Sequence, residues 1–239
     1  SWGAPKETDD GYALAYSVDV DGNPIYTSDM TDEQRFDAAL QAAIGFFQAA
    51  GYTWDAATGT FTAAPEGAQM AYEVIIPADG GEDHPAYLLC EYVRSALETI
   101  GITLTINNPS DSNQMWTTID ARTHNMYTAA FSFGGSPDPD CYDRYYSGEI
   151  DSGNNNNAIS DPTLDELLLN GRISADQSYR RAIYKEALDI VRDWAVEVPY
   201  YQRQNIYVYS TERVNVDTIT PDITTFWDWQ HDLEKLEMN

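Results

Sequence analysis

The sequence predicts an α/β fold, a mostly parallel sheet flanked by helices. Three observations carry that expectation. Between residues 70 and 133, alternating apolar segments and segments of helical spacing follow one another as strand, helix, strand, helix, strand, with short connections. That order suits a parallel sheet built with right-handed crossovers. The 239 residues are 43% hydrophobic and 13% aromatic, enough to bury the core of one or two globular domains. Further helical periods follow beyond residue 160.

Residues 1–30 are polar and rich in Asp and Gly, with one short alternating run, YALAYSV, before the turn-forming VDGNP. Thr31 is placed to cap a helix, with Gln34 closing a capping box. Phe36, Leu40, Ala43 and Phe47 then recur at helical spacing until Gly51. The Gly/Thr/Ala-rich stretch that follows reads as a connection. MAYEVIIPADGG alternates Tyr72, Val74 and Ile76 as a strand, and HPAYLLCEYVRSALETIG places Leu89, Val93, Leu97 and Ile100 on one helical face ending at Gly101. ITLTIN, with Ile102, Leu104 and Ile106, is the second strand. NQMWTTIDART is a short helix, and MYTAAFSF a third strand running into GGSPDPD. DPTLDELLLNGRI and DQSYRRAIYKEALDIVRDWAVEVP are helices, the latter stopping before Pro199. PYYQRQNIYVYST reads as a final strand. The remaining tail has no clear period and several tryptophans that need something to pack against.

Thirteen basic against 39 acidic groups give a net charge of −26. Nucleic acid and anionic lipid are poor partners for such a surface, because both are held by lysines and arginines that neutralise phosphates. No apolar run approaches the roughly 18 residues of a membrane helix. The opening SWGAPKETDD is unlike a signal peptide, so the expectation is an intracellular protein or a mature piece of something longer.

Cys90 and Cys141 have no CxxC spacing and no companion histidine motif, which removes support for zinc or thioredoxin-type chemistry. Two unpaired, mostly buried thiols are expected, with a disulfide left open. DVDGNP carries the alternating oxygens Asp19, Asp21 and Asn23 of a calcium loop, but its glycine comes one place early and Met30 stands where a glutamate is required. His84, His124 and His231 are scattered, and no nucleotide or nucleophile-elbow motif follows a strand. Neither a metal nor a cofactor is expected.

The segment FSFGGSPDPD, residues 131–140, stands out because ligands of open α/β sheets sit outside the carboxyl ends of the strands. Gly134 and Gly135 allow close backbone approach to a ligand, and equally make a plain tight turn. Trp116 on the preceding helix is placed to line the same cleft or to join the core, and the cluster at Tyr200, Tyr201 and Gln202 has the same two readings. Asp138 and Asp140 flank Pro139 in a chain where carboxylates pair by chance.

The chain resembles the extracellular solute-binding proteins, family 5, of ABC importers for oligopeptides, dipeptides, nickel and related solutes. The resemblance rests on FDAALQAAIGFFQAAGY, YEVIIPADGGEDHPAYLLCEYVRSALETIGITLTI, NQMWTTIDART with YTAAFSFGGSPDPD, NNNNAISDPTLDELL, and YRRAIYKEALDIVRDWAVEVPYY, in that order. It implies a periplasmic-binding-protein-like (type II) lobe over residues 1–239, the C-terminal part of a longer two-lobed receptor. Its core would span about residues 70–210, with 211–239 returning toward the other lobe. It further implies a monomer outside the membrane or in the periplasm, lipid-anchored through a missing N-terminus. Such a receptor captures a peptide or other small solute and delivers it to an ABC transporter permease, with no bond made or broken.

The site that the resemblance implies comprises Phe131, Ser132, Phe133, Gly134, Gly135 and Ser136 by their backbone, with Trp116, Arg122, Asp138 and Tyr201 facing the cleft. In peptide-binding relatives an aspartate of this segment holds the α-ammonium group. Here that position falls on Gly135, which leaves Asp138 as the substitute. An oligosaccharide is the alternative ligand, given 6 Trp and 17 Tyr. A hydrolase using Asp138 or Asp140 predicts turnover and a second carboxylate of raised pKa. A structural module with a vestigial cleft predicts no ligand at all.

Overall fold

The computed structural model describes residues 16–77, 81–130, 138–200, 206–221, 223 and 227–239. The chain packs as two compact units, divided after Ala130.

In the first unit the loop 19–23 closes on itself. The carboxylate of Asp19 accepts from the backbone N–H of Asp21 (3.0 Å) and of Asn23 (2.8 Å), so its oxygens serve the turn. Helix α1 (Asp32–Ala49) starts with the expected capping box: Gln34 N–H donates to Thr31 Oγ1 at 3.2 Å and Thr31 N–H to Gln34 Oε1 at 2.9 Å.

The stretch read as a connection instead folds into an antiparallel hairpin, β1 (Thr53–Asp55) with β2 (Thr60–Ala63). Aromatic burial drives it. Trp54 lies opposite Phe61, their rings 4.8 Å apart, and Phe47 and Tyr52 close on Phe61 at 5.4 and 5.9 Å. The cluster rests on Ile44, Ile100 and Ile102.

Strands β3 (Ala71–Ile75), β4 (Thr103–Asn107) and β5 (Met126–Tyr127) form a parallel sheet in the order β4-β3-β5. Alternation along β3 divides its neighbours. Val74 and Ile76 pack with Leu104 against Ala86 and Cys90 of α2 (Pro85–Thr99), while Ile75 packs on the other face against Met115 and Ile119 of α3 (Ser112–Asp120). Two helices therefore cover opposite faces of the sheet, as a layered α/β unit requires.

The apolar face of α2 matches the expected one at Leu97 and Ile100 and differs at its start. Ala86 and Cys90 are buried, whereas Val93 turns with Tyr92 toward α1, where Tyr92 meets Phe36 at 5.3 Å. Those residues line an apolar groove of about 480 Å³ with Leu40, Ala43 and Leu97. The third strand is also shorter than expected: Thr128–Ala130 are not strand, and residues 131–133 lie outside the described set.

In the second unit, α4 (Tyr142–Tyr145) leads to α5 (Pro162–Arg172), capped by Asp161 with Pro162 at its first turn, and to α6 (Gln177–Trp194), capped by Asp176. Leu164, Leu167 and Leu168 of α5 pack on Tyr184, Ala187 and Val191 of α6, with Tyr145 and Ile159 completing the core. Helix α6 ends at Ala195, held in a left-handed conformation (φ 51°), several residues before Pro199.

The expected final strand is absent among the described residues 206–210. Ile206 and Val208 are 83% and 92% exposed, and strand-forming side chains without a partner do not make a strand. The described part of the tail closes locally: Val214 bridges Met238, and Asp232 is buried, accepting from Thr220 Oγ1 (3.2 Å) and Trp227 Nε1 (2.9 Å). Both cysteines are free, Cys90 buried and Cys141 partly so, and burial pushes the Cys141 thiol up to about 12. No helix is long and apolar enough to cross a membrane among the described residues.

Candidate functional site

Strand order selects one place in the first unit. The chain leaves β3 through α2 to reach β4 on one side, then passes through α3 to β5 on the other side of β3. Connections that depart in opposite directions from neighbouring strands leave a crevice between their carboxyl ends, where open α/β sheets bind ligands. Here that point lies between β3 and β5.

Its edge is fixed by the main chain. Ile75 is paired with Tyr127, Thr128 N–H donates to Ile75 O at 2.8 Å, and Ile76 N–H donates to Asn107 O at 2.9 Å. The segment leaving this edge from β5 runs directly into residues 131–137. Thr128 was not singled out by sequence reasoning. Its Oγ1 is buried with no hydrogen-bond partner among the described residues, and a β-branched residue just past a strand carries no signal of that.

Trp116 sits on α3 next to Met115, which is buried against Ile75. The helical step leaves the Trp116 ring 43% exposed. Arg122 closes the same helix: Ala121 is the cap and Arg122 takes the left-handed conformation (φ 51°) that glycine usually supplies, its N–H donating to Ile119 O at 2.9 Å. Trp116, Arg122 and Thr128 thus belong to the first unit, on and after the helix leading into β5. Phe131, Ser132, Phe133, Gly134, Gly135, Ser136 and Tyr201 lie outside the described residues.

Asp138 is in the second unit, and its carboxylate is gripped on both oxygens by Arg180 of α6. Nη2 donates to Oδ1 at 2.6 Å and Nη1 to Oδ2 at 3.0 Å. The Arg180 hydrogen bonds hold the Asp138 carboxyl below its ordinary 3.8. A general acid needs the opposite shift. An ammonium group reaching Asp138 would meet a carboxylate whose charge an arginine already balances. Asp140 is paired as well, with Arg172 Nε at 2.7 Å. No cluster of three or more His, Cys, Asp or Glu able to hold a metal occurs among the described residues.

Several solved structures share this fold. The oligopeptide-binding protein AppA from Bacillus subtilis, in complex with a nonapeptide, matches with a TM-score of 0.55 at 16% identity, over 77% of this chain and 35% of that one. A nickel ABC transporter structure from Bacillus halodurans matches at 0.50 and 16% identity, over 76% and 34%. The periplasmic binding protein DppA from Helicobacter pylori, in complex with the peptide STSA, matches at 0.50 and 18% identity, over 72% and 30%. The chain spans about a third of the length of these structures. No curated protein matches it. The family model described as bacterial extracellular solute-binding proteins, family 5 Middle, matches residues 8–153. That match covers more than half of the sequence, and the chain belongs to this family of bacterial extracellular solute-binding proteins.

Proposed function

We propose that the chain is part of a receptor that captures oligopeptides outside the membrane and delivers them to the permease of an ABC importer, without catalysing a reaction. The observation that carries the reading is the strand order β4-β3-β5, whose switch point falls at the carboxyl ends of β3 and β5, in a chain of a solute-binding family. Strand β5 has β3 on one side and no described strand on the other. An extended peptide can pair with such an edge through main-chain hydrogen bonds, which tolerates varied side chains. The half-exposed Trp116 on α3, the helix that leads into β5, offers an apolar surface to a ligand side chain. The site would comprise Trp116, Arg122, the backbone of residues 131–136, and Tyr201, with the receptor working as a monomer anchored by lipid.

A thermal-shift screen of the full-length protein against peptide pools and an oligosaccharide panel tests this reading, because any ligand of the native state raises the melting temperature. A shift with peptides is expected. A shift with sugars alone keeps the receptor and replaces the ligand class, and silence on both defeats the reading.

A further inference from the structure

We infer that the groove between α1 and α2 is a binding site of its own, which takes a small zwitterion with an apolar body: an α-amino acid with an aliphatic or aromatic side chain. Every residue it uses lies between positions 26 and 97, inside the first unit, so it does not depend on the receptor reading above.

The groove follows from the sequence of the two helices. Asp32, Arg35, Phe36, Ala39, Leu40 and Ala43 recur at steps of one, three and four and form one stripe of α1. On α2 the lining residues are Tyr92, Val93, Ala96 and Leu97. Leu40 and Leu97 both pack down onto the core of Ile44, Phe61 and Ile100, and Phe36 meets the Tyr92 ring edge-on at 5.3 Å. Ala39, Ala43 and Ala96 end at Cβ, so the two helices leave space between the larger side chains. The resulting volume of about 480 Å³ suits a small ligand, and Tyr92 remains 59% exposed.

Asp32 and Arg35 are the charged members of this lining, opposite in sign and about one helical turn apart. That spacing allows them to pair. Instead the Arg35 guanidinium lies over the Tyr26 ring, 5.6 Å from its centroid, and neither side chain forms an ion pair among the described residues. Arg94, Arg144, Arg172, Arg180 and Arg192 each hold a carboxylate. The groove therefore offers an apolar surface together with one charge of each sign. A simple carboxylate would gain Arg35 and face Asp32, and a simple amine would meet the reverse. An amino acid satisfies both, its carboxylate on the guanidinium and its ammonium on Asp32, with its side chain against Phe36, Leu40 and Tyr92. It carries no net charge, so the repulsion that a chain of net charge −26 exerts on anions does not act on it. A second copy of the chain would bring the same charge against the groove and is the poorer occupant.

Photo-labelling of the full-length protein with a diazirine analogue of leucine tests the inference, with adducts mapped by mass spectrometry. Adducts are expected on residues 26–43 and 92–97, suppressed by L-phenylalanine. N-acetylphenylalanine and phenylalaninamide each lack one of the two charges, and each should need about tenfold more to suppress the label. Arg35→Gln should erase the preference for phenylalanine over its amide, and Asp32→Asn the preference over the N-acetyl form, with folding of both checked by circular dichroism. The competitor series on the parent decides the matter where a variant fails to fold. Equal suppression by all three competitors overturns zwitterion recognition. A groove that takes no competed label, whether another part of the full-length protein or a second copy covers it, overturns the site.

Discussion

Gly101 sits where two elements meet, and replacing it with alanine separates backbone strain from steric contact. Its φ is +82°, and a Cβ there would lie 2.8 Å from Phe61 O and 3.0 Å from Thr60 Cβ, both on β2. The hairpin is bound at the same place, Phe61 N–H donating to Ile100 O at 2.8 Å. An L-residue in this left-handed region costs about 1–2 kcal/mol. Crowding a packed site adds about 1–3 kcal/mol, and the stiffer unfolded chain returns about 0.4–1 kcal/mol. The expected net loss for Gly101→Ala is about 2–3 kcal/mol. Gly59 supplies the control, because its φ is +70° but an added Cβ there meets nothing within 4 Å. Gly59→Ala should cost about 1 kcal/mol or less from strain alone. Urea unfolding of both variants, followed by circular dichroism, gives the comparison through the midpoints. Equal losses, within about 0.5 kcal/mol, would show that β2 does not press on Gly101 and would refute the hairpin's docking.

Ala195→Gly should stabilise the second unit by about 0.5–1 kcal/mol, seen as a higher melting temperature, because the left-handed end of α6 suits glycine better than alanine. The pair between Asp138 and Arg180 makes stability depend on pH in a defined direction. The folded carboxyl titrates below its ordinary 3.8, so the contribution is complete above that value and is lost as pH falls through the folded value. Denaturation midpoints of Asp138→Asn should therefore fall less steeply than the parent's from pH 5 to pH 2. Gly135→Asp should raise the affinity for free-amine peptides relative to N-acetylated ones, and a titration showing no change in that ratio would place the ammonium anchor elsewhere. The chain of 239 residues alone should bind peptides far more weakly than the full-length receptor, and equal affinity in calorimetry would contradict a ligand enclosed from both sides.

Much of the sheet was legible because its period is simple. Tyr72, Val74 and Ile76 alternate onto the face covered by α2 while Ile75 is buried toward α3, so the alternation marks the strand and Pro77 ends it. The Thr31 and Gln34 cap is legible because both of its bonds span three residues. The hairpin escaped because strands of three and four residues fall below the length at which alternation registers, and their Thr and Ala content resembles a loop. The signal present was the pair of aromatics, Trp54 and Phe61, flanking a turn that ends in Gly59. The face of α2 was read correctly at Leu97 and Ile100 and missed at its start, because the helix carries two apolar surfaces, one toward the sheet through Ala86 and Cys90 and one toward α1 through Tyr92 and Val93. Small residues bury more completely than the larger ones that dominate a periodicity argument. At the candidate site, what was legible is the strand order, which places the switch point at the carboxyl ends of β3 and β5. The partners of Asp138 and Asp140 were not, since Arg180 and Arg172 lie on other elements, 42 and 32 residues away in sequence.

The central claim is that a peptide lies against the carboxyl ends of β3 and β5. Photo-crosslinking tests it most directly, with a diazirine-bearing peptide bound to the full-length protein and the modified residues mapped by mass spectrometry. Adducts are predicted on residues 128–137 and on Trp116, suppressed by excess unlabelled peptide. Competed adducts confined to other surfaces, such as the groove lined by Phe36, Leu40 and Tyr92, would contradict it.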